Sequence, residues 1–142
     1  MSQDDIEVAR SAYAAFNRGD LAGALERIDP GIEWHMSDQF TREGRVFHGH
    51  DGVREVYRAF SENFDDFRTV PHDFISLHGR VVVPVRLCGR EKGGGAMVEF
   101  ELVQVWTSRS HRAIRLDVYT SIEQARAAIE AEGSAVSSAS GD

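Results

Sequence analysis

Two side chains stand out for the chemistry that their type and setting allow. His35 sits in the alternating stretch Ile32-Glu33-Trp34-His35-Met36. Imidazole is the side chain that titrates near neutrality unperturbed, so His35 could act as a general acid or base. Alternation also offers a plainer role, turning it away from Trp34 toward a rim or a subunit contact. Gln104 is the single amide in a row of large apolar side chains. Unpaired in such a setting it would cost about 1–3 kcal/mol, so it requires a ligand, a water or a core partner such as Tyr13 or Tyr57. His48-Gly49-His50 could present two imidazoles on one side of an extended segment, with His35, His72 or Asp51 as a third metal ligand. There is no HExxH and no paired cysteine, so capping and loop solvation account for these histidines and no metal or cofactor is expected.

The element that positions Gln104 runs from Met97 to Thr120. Phe100, Leu102, Gln104 and Trp106 fall on one side, and Glu99, Glu101, Val103 and Val105 on the other. Ser108 to His111 is small and polar, after which Ile114, Leu116 and Val118 oppose Arg115, Asp117 and Tyr119. This predicts two long strands joined by a tight turn. One face is strongly apolar and needs a cover. The other mixes acids and arginines, open to cross-strand pairing, around Val103 and Val105. An apolar centre ringed by polar groups has the anatomy of a subunit interface, and a homodimer through this outer face is expected.

The remaining elements read as that cover. Ile6, Ala9, Tyr13 and Phe16 recur at helical spacing over residues 3–17. Gly19 and Asp20 stop that helix and cap a second, with Leu21, Leu25 and Ile28 as its stripe and Asp29-Pro30-Gly31 as its end. A short strand at 32–36 and a polar loop at 37–50 follow. His50 or Asp51 then caps a helix from Gly52 to about Asn63 that buries Val53, Val56, Tyr57 and Phe60. Strands are predicted over 67–77 and 80–90, with Val81, Val83, Val85 and Leu87 sharing a face and Pro84 marking a bulge or an edge. Ser121-Ile122-Glu123-Gln124 has capping-box spacing and opens a final helix to about Glu132, ended by Gly133. Residues 1–132 form one domain, and 133–142 carry too little apolar surface to order themselves. Helices segregated from antiparallel strands predict an α+β fold, its curved sheet covered by helices on one face.

Composition narrows the function classes. A net charge of −7 argues against a nucleic-acid surface. The single cysteine, Cys88, excludes an internal disulfide and fits a reducing compartment. The acidic N-terminus lacks the pattern of a signal peptide, and no apolar run nears the roughly 20 residues needed to span a bilayer. A cytoplasmic protein with no membrane partner is expected.

Several phrases, in order, resemble one family. They are Tyr13-Ala-Ala-Phe-Asn-Arg-Gly-Asp20, Ile32-Glu-Trp-His35, Phe47-His-Gly-His-Asp-Gly-Val-Arg54, and Val105-Trp-Thr followed by Arg112-Ala-Ile-Arg-Leu. Together they resemble the SnoaL-like branch of the superfamily that includes nuclear transport factor 2 and ketosteroid isomerase. The resemblance implies a cone-shaped, curved antiparallel sheet wrapped around N-terminal helices, the cystatin-like fold, with a pocket between sheet and helices and usually a homodimer. Such pockets host isomerases, cyclases, epoxide hydrolases and inert binding modules alike. The isomerase's oxyanion tyrosine matches Ala12, its general base Trp34 and its protonated acid Gln104, so steroid-type isomerisation is not expected. The epoxide-hydrolase acid matches Cys88. SnoaL-like cyclases place an acid on the last strand where Val118 stands, and Asp117 takes that role only if the register is off by one.

The resemblance thus gives a pocket lined by Tyr13, Trp34, Met36, Tyr57, Leu102, Trp106 and Val118, with His35, Gln104 and Asp117 as the candidates for catalysis. It implies a small apolar ligand and cofactor-free isomerisation, cyclisation or hydration. The alternative is a non-catalytic binding or dimerisation module whose hollow is filled by its own side chains.

Overall fold

The computed structural model describes residues 2–36 and 46–140. Most of the loop expected over 37–50 lies outside these residues. The described part of that span forms a short strand and the first turn of a helix.

The first helix, α1, spans Ser2–Asn17. Its stripe is the predicted one: Ala9 and Tyr13 are buried, and Ile6 and Phe16 pack against the core. Gly19 takes a left-handed φ of 77°, and Asp20 accepts a hydrogen bond from Gly23 N at 2.9 Å to cap α2, Leu21–Glu26. Here the structure departs from the expectation that Ile28 belongs to this helix. Strand β1 spans Ile28–His35. Ile28 pairs with Ala113, and the Ala113 N–H donates to Arg27 O at 2.8 Å. Asp29-Pro30-Gly31 lies in the register shift between Ile28 and Glu33 rather than at a helix end. A β-branched side chain that completes a ladder outweighs a helical spacing of apolar residues.

Strand β2, Val46–His48, leads into α3, Gly49–Asn63, which begins before the predicted Gly52. His48 holds the N-cap position without a side-chain cap bond. The predicted strand over 67–77 is two, β3 at Phe64–Pro71 and β4 at Ile75–Leu77. Both pair with β5, Arg80–Glu91. Pro84 lies inside the sheet, yet it faces the interruption between β3 and β4. Its carbonyl accepts from His72 N at 2.8 Å. In an antiparallel ladder a residue's N–H and C=O point to the same neighbour, so the missing donor falls at that break.

The central hairpin is β6, Met97–Arg109, and β7, Arg112–Tyr119. The sheet order is β2-β1-β7-β6-β5-β3 with β4 on β5, and the curved sheet stays open. Every pairing is antiparallel except β1 with β7, which is parallel. The helices α1, α2 and α3 lie over the inner face, where Val81, Val83, Val85, Leu102, Trp106 and Leu116 form one core with Val8, Tyr13 and Val53. The architecture is α+β, as expected.

The outer face departs from expectation. The last helix, α4, spans Ile122–Ser140 and continues past Gly133. A glycine inside a helix costs only about 1 kcal/mol relative to alanine, too little by itself to end one. Gln124 N donates to Ser121 Oγ at 3.1 Å, satisfying one of the first donors of the helix, and Gln124 Oε1 accepts from Thr120 N just before it at 3.0 Å. Ala125 and Ile129 then cover Val82, Val103 and Val105, with Ile75, Leu77 and Tyr119 at the edge. Arg80 pairs with Glu132 on the same helix. The apolar patch read as a subunit contact is therefore buried by the chain's own helix.

The hairpin turn shows where local strain resides. Ser110 and His111, both carrying a Cβ, take φ of 53° and 67°. Two left-handed residues in a two-residue loop make the turn that favours Asn-Gly. Replacing Ser110-His111 by Asn-Gly should relieve about 1 kcal/mol of strain. In a chain of this size that raises the thermal midpoint by roughly 2–4 °C, read by circular dichroism. An unchanged midpoint would show the turn to be unstrained.

Candidate functional site

Between the inner face of the sheet and helices α1 and α3 lies a cavity of about 60 Å³. Period-two alternation brings Leu102, Gln104 and Trp106 of β6 to its floor, with Val118 of β7 and Leu87 of β5 beside them. Trp34 of β1 and Met36 just beyond it close one side. The helices supply Tyr13 and Phe16 from α1, and Val53, Val56, Tyr57 and Phe60 from α3. A wider open hollow borders the cavity and shares Met36, Val56 and Phe60 with it. All seven residues predicted to line a pocket are in this wall, as is Gln104.

One hydrogen-bonded chain crosses the wall. Trp106 Nε1–H donates to Tyr13 Oη at 2.7 Å, and Tyr13 O–H donates to Gln104 Oε1 at 2.5 Å. Gln104 and Trp106 are two residues apart on one strand face, so a single phenol from α1 reaches both. The Tyr13 and Trp106 rings meet edge to face at 5.3 Å. Burial pushes the Tyr13 phenol well above its ordinary range, against the smaller opposing effect of the Trp106 hydrogen bond. The hydroxyl stays protonated and keeps its donor role. Gln104 thus finds the core partner proposed for it, but only for its oxygen. Its amide N–H groups have no partner among the described residues, and Trp34 Nε1 is buried without one.

The other side of the cavity holds what sequence reasoning missed. Asn17, read only as a helix stop, donates through Nδ2 to Thr69 O at 2.7 Å and accepts through Oδ1 from Thr69 N at 2.9 Å. Its carboxamide acts as a strand partner and ties the end of α1 to β3. Phe60 of α3 stacks on Phe67 of β3 at 4.6 Å, and Phe16 stacks on Tyr57 at 6.2 Å. The first pair joins α3 to the edge strand β3, and the second joins α1 to α3. The only hint in the sequence is that asparagine at a helix end often bonds to backbone, and its partner lies too far along the chain to infer.

The titratable candidates lie elsewhere. His35 pairs through Nε2 with Glu33 at 2.9 Å on the side of β1 opposite Trp34. That hydrogen bond holds the Glu33 carboxyl below its usual range. The ladder pairs Gln104 with Val118 and Val105 with Asp117, so Val118 faces the cavity and Asp117 faces outward. Asp117 is buried there and accepts from Arg115 Nε at 2.9 Å. His35 and Asp117 are register partners on adjacent strands and belong to the outer face. His50 Nε2 sits 2.7 Å from Ile28 O, within α3, while His48 is exposed on β2. The two do not form a metal pair. No group of three His, Cys, Asp or Glu residues is placed to hold a metal among the described residues. The described wall contains no carboxylate, imidazole, amine or thiol.

Residues 9–116 match the SnoaL-like domain. The chain belongs to the SnoaL-like family. Solved structures agree with this placement. An NTF2-like protein of unknown function from Burkholderia pseudomallei is 26% identical, with 85% of this chain and 93% of that one covered and a TM-score of 0.72. TerC, co-crystallised with polyporic acid, is 26% identical, with 89% and 98% covered and a TM-score of 0.73. A candidate SnoaL-like polyketide cyclase from Jannaschia sp. CCS1 shares the fold at 17% identity, with 87% and 90% covered and a TM-score of 0.70. No curated protein matches the chain by sequence. No helix among the described residues is long and apolar enough to cross a membrane.

The central tyrosine of this SnoaL-like cavity makes a prediction about alkaline stability. Above the ordinary tyrosine pKa of about 10, the unfolded chain releases a proton that the folded Tyr13 retains. The folded state then binds more protons, so stability falls as pH rises. Tyr119, half-buried by α4, is raised by burial in the same direction. Tyr13→Phe should cost about 1–3 kcal/mol near neutrality, because Gln104 Oε1 and Trp106 Nε1 both lose a partner. Between pH 10 and 12 the parent should lose about 1.4 kcal/mol per pH unit more than the variant. Urea melts across that range check both, and parallel losses would contradict the buried phenol.

Proposed function

We propose that this SnoaL-like protein binds a small, mostly apolar organic molecule in the cavity between α1, α3 and the sheet. The observation that carries the reading is the wall itself. It is apolar and aromatic, with one buried donor, Trp34 Nε1–H, that no hydrogen-bond partner satisfies. Pockets of that composition take up organic ligands by shape and orient them with a few polar groups. The family membership supports the same reading, as does the neighbour co-crystallised with polyporic acid.

Binding is favoured over acid–base catalysis, because the described wall offers no group that changes charge near neutral pH. Cofactor-free isomerisation, cyclisation or hydration would have to rely on hydrogen bonds from Gln104 and Trp34 to polarise a bound carbonyl. His35 and Asp117, on the outer face, could contribute only through that face. A homodimer remains part of the proposal on the strength of the family, through the stretch of outer face beyond α4 where Arg86 pairs with Glu101 at 2.9 Å. Sedimentation at micromolar concentration checks it, and a monomer rejects it. The lone cysteine supports a cytoplasmic location.

Both tryptophans of the chain line the cavity. Intrinsic fluorescence therefore reports occupancy directly. Neutral apolar ligands should change the emission and raise the thermal midpoint, and Gln104→Leu should alter the ranking of ligands. The affinity for a neutral ligand should vary by less than about twofold between pH 6 and 9, since no described wall group titrates there. A bell-shaped pH profile would point to an acid–base group at the site and overturn the binding-only reading.

A further inference from the structure

Given the cavity-binding reading, on which this rests, we infer that the buried end of the ligand is a neutral carbonyl acceptor. Gln104 and Trp34 are its donors, and Tyr13 and Trp106 are positioning residues that decide which way the amide faces.

The direction follows from what each group can do. An indole N–H only donates, so the 2.7 Å contact commits the Tyr13 oxygen to accept from Trp106. The phenol has one proton, and its neighbour at 2.5 Å is the Gln104 amide. The amide must then present its oxygen to Tyr13. Turned over, it would offer N–H groups to an oxygen that already accepts, and would leave a buried O–H with no acceptor. With the oxygen held, the NH2 group is the free end of the Gln104 side chain, and Gln104 is part of the cavity wall.

Trp34 adds a second donor. Its Nε1–H is buried and unpartnered, and its ring forms another part of the same wall. Two sheet residues of the wall thus each keep a donor without a described partner, while the Gln104 oxygen is already used. The other polar wall residues, Asn17, Tyr57 and Thr69, belong to α1, α3 and β3, and the Asn17 carboxamide is consumed by Thr69. A ligand oxygen can accept from such donors, whereas a ligand hydroxyl proton meets no free amide oxygen. Charge selects further. No Lys, Arg or His lines the described wall, so a carboxylate would be buried without a counter-ion. Ketone-, quinone- or amide-type carbonyls fit, and carboxylates do not.

The test uses three probes of nearly equal size: acetophenone, ethylbenzene and benzoate. In a ¹⁵N-labelled sample the chain gives two indole N–H signals, assigned with Trp34→Phe. Acetophenone should bind about fivefold or more tightly than ethylbenzene, the ratio expected for one or two net hydrogen bonds. It should also move the Trp34 signal downfield, and benzoate should bind most weakly. Tyr13→Phe and Gln104→Leu should bring the acetophenone-to-ethylbenzene ratio toward one. The ranking on the unaltered chain needs neither variant to fold. Equal binding of acetophenone and ethylbenzene, or tightest binding of benzoate, overturns the carbonyl assignment while the cavity still stands as an apolar binder. If no probe perturbs either indole signal, the cavity-binding reading itself falls, and this inference with it.

Discussion

Residues 102–106 of strand β6 are buried on both faces, and most of the molecule is arranged to make that possible. Leu102 and Trp106 point into one core, Val103 and Val105 into another. A sheet sealed on one side only would leave a row of valines in water, so the chain must supply two covers. The N-terminal helices form the first and α4 the second. Among the described residues the first cover leaves a gap, and that gap is the cavity. The second is tight, with Ala125 and Ile129 set directly on the valines.

This division also sorts the chemistry. The charged groups Glu33, His35, Arg115 and Asp117 share the outer side of β1 and β7, where they pair with one another. Among the described residues the polar groups of the cavity wall are amides, indoles, a threonine hydroxyl and phenols, of which Tyr13 is kept protonated by burial. An interior built this way can direct hydrogen bonds without carrying charge.

Much of this was legible before the fold was known, for a physical reason. The alternation from Phe100 to Trp106 is a local signal, and a two-residue period fixes the face of every side chain in the strand. The helical stripe from Ile6 to Phe16 is equally local. Together these brought all the expected lining residues to one hollow. What escaped depends on distant partners. Leu21, Leu25 and Ile28 fit a helix on spacing alone, and only Ala113, far along the chain, draws Ile28 into a ladder. Val103 and Val105 announce that something apolar covers them, but the pattern is the same for a second copy and for the chain's own helix. Asp117 depended on a register, and the pairing of Val118 with Gln104 resolves it.

The clasp between Asn17 and Thr69 has an implication for how such a hollow can change. Both of its bonds are to the main chain of β3, so the anchor is indifferent to which side chain residue 69 carries. The lip of the hollow could be repainted, one residue type for another, while the helix beside it stays moored. A scaffold fastened by its backbone at the rim is free to try new occupants without renegotiating its own stability.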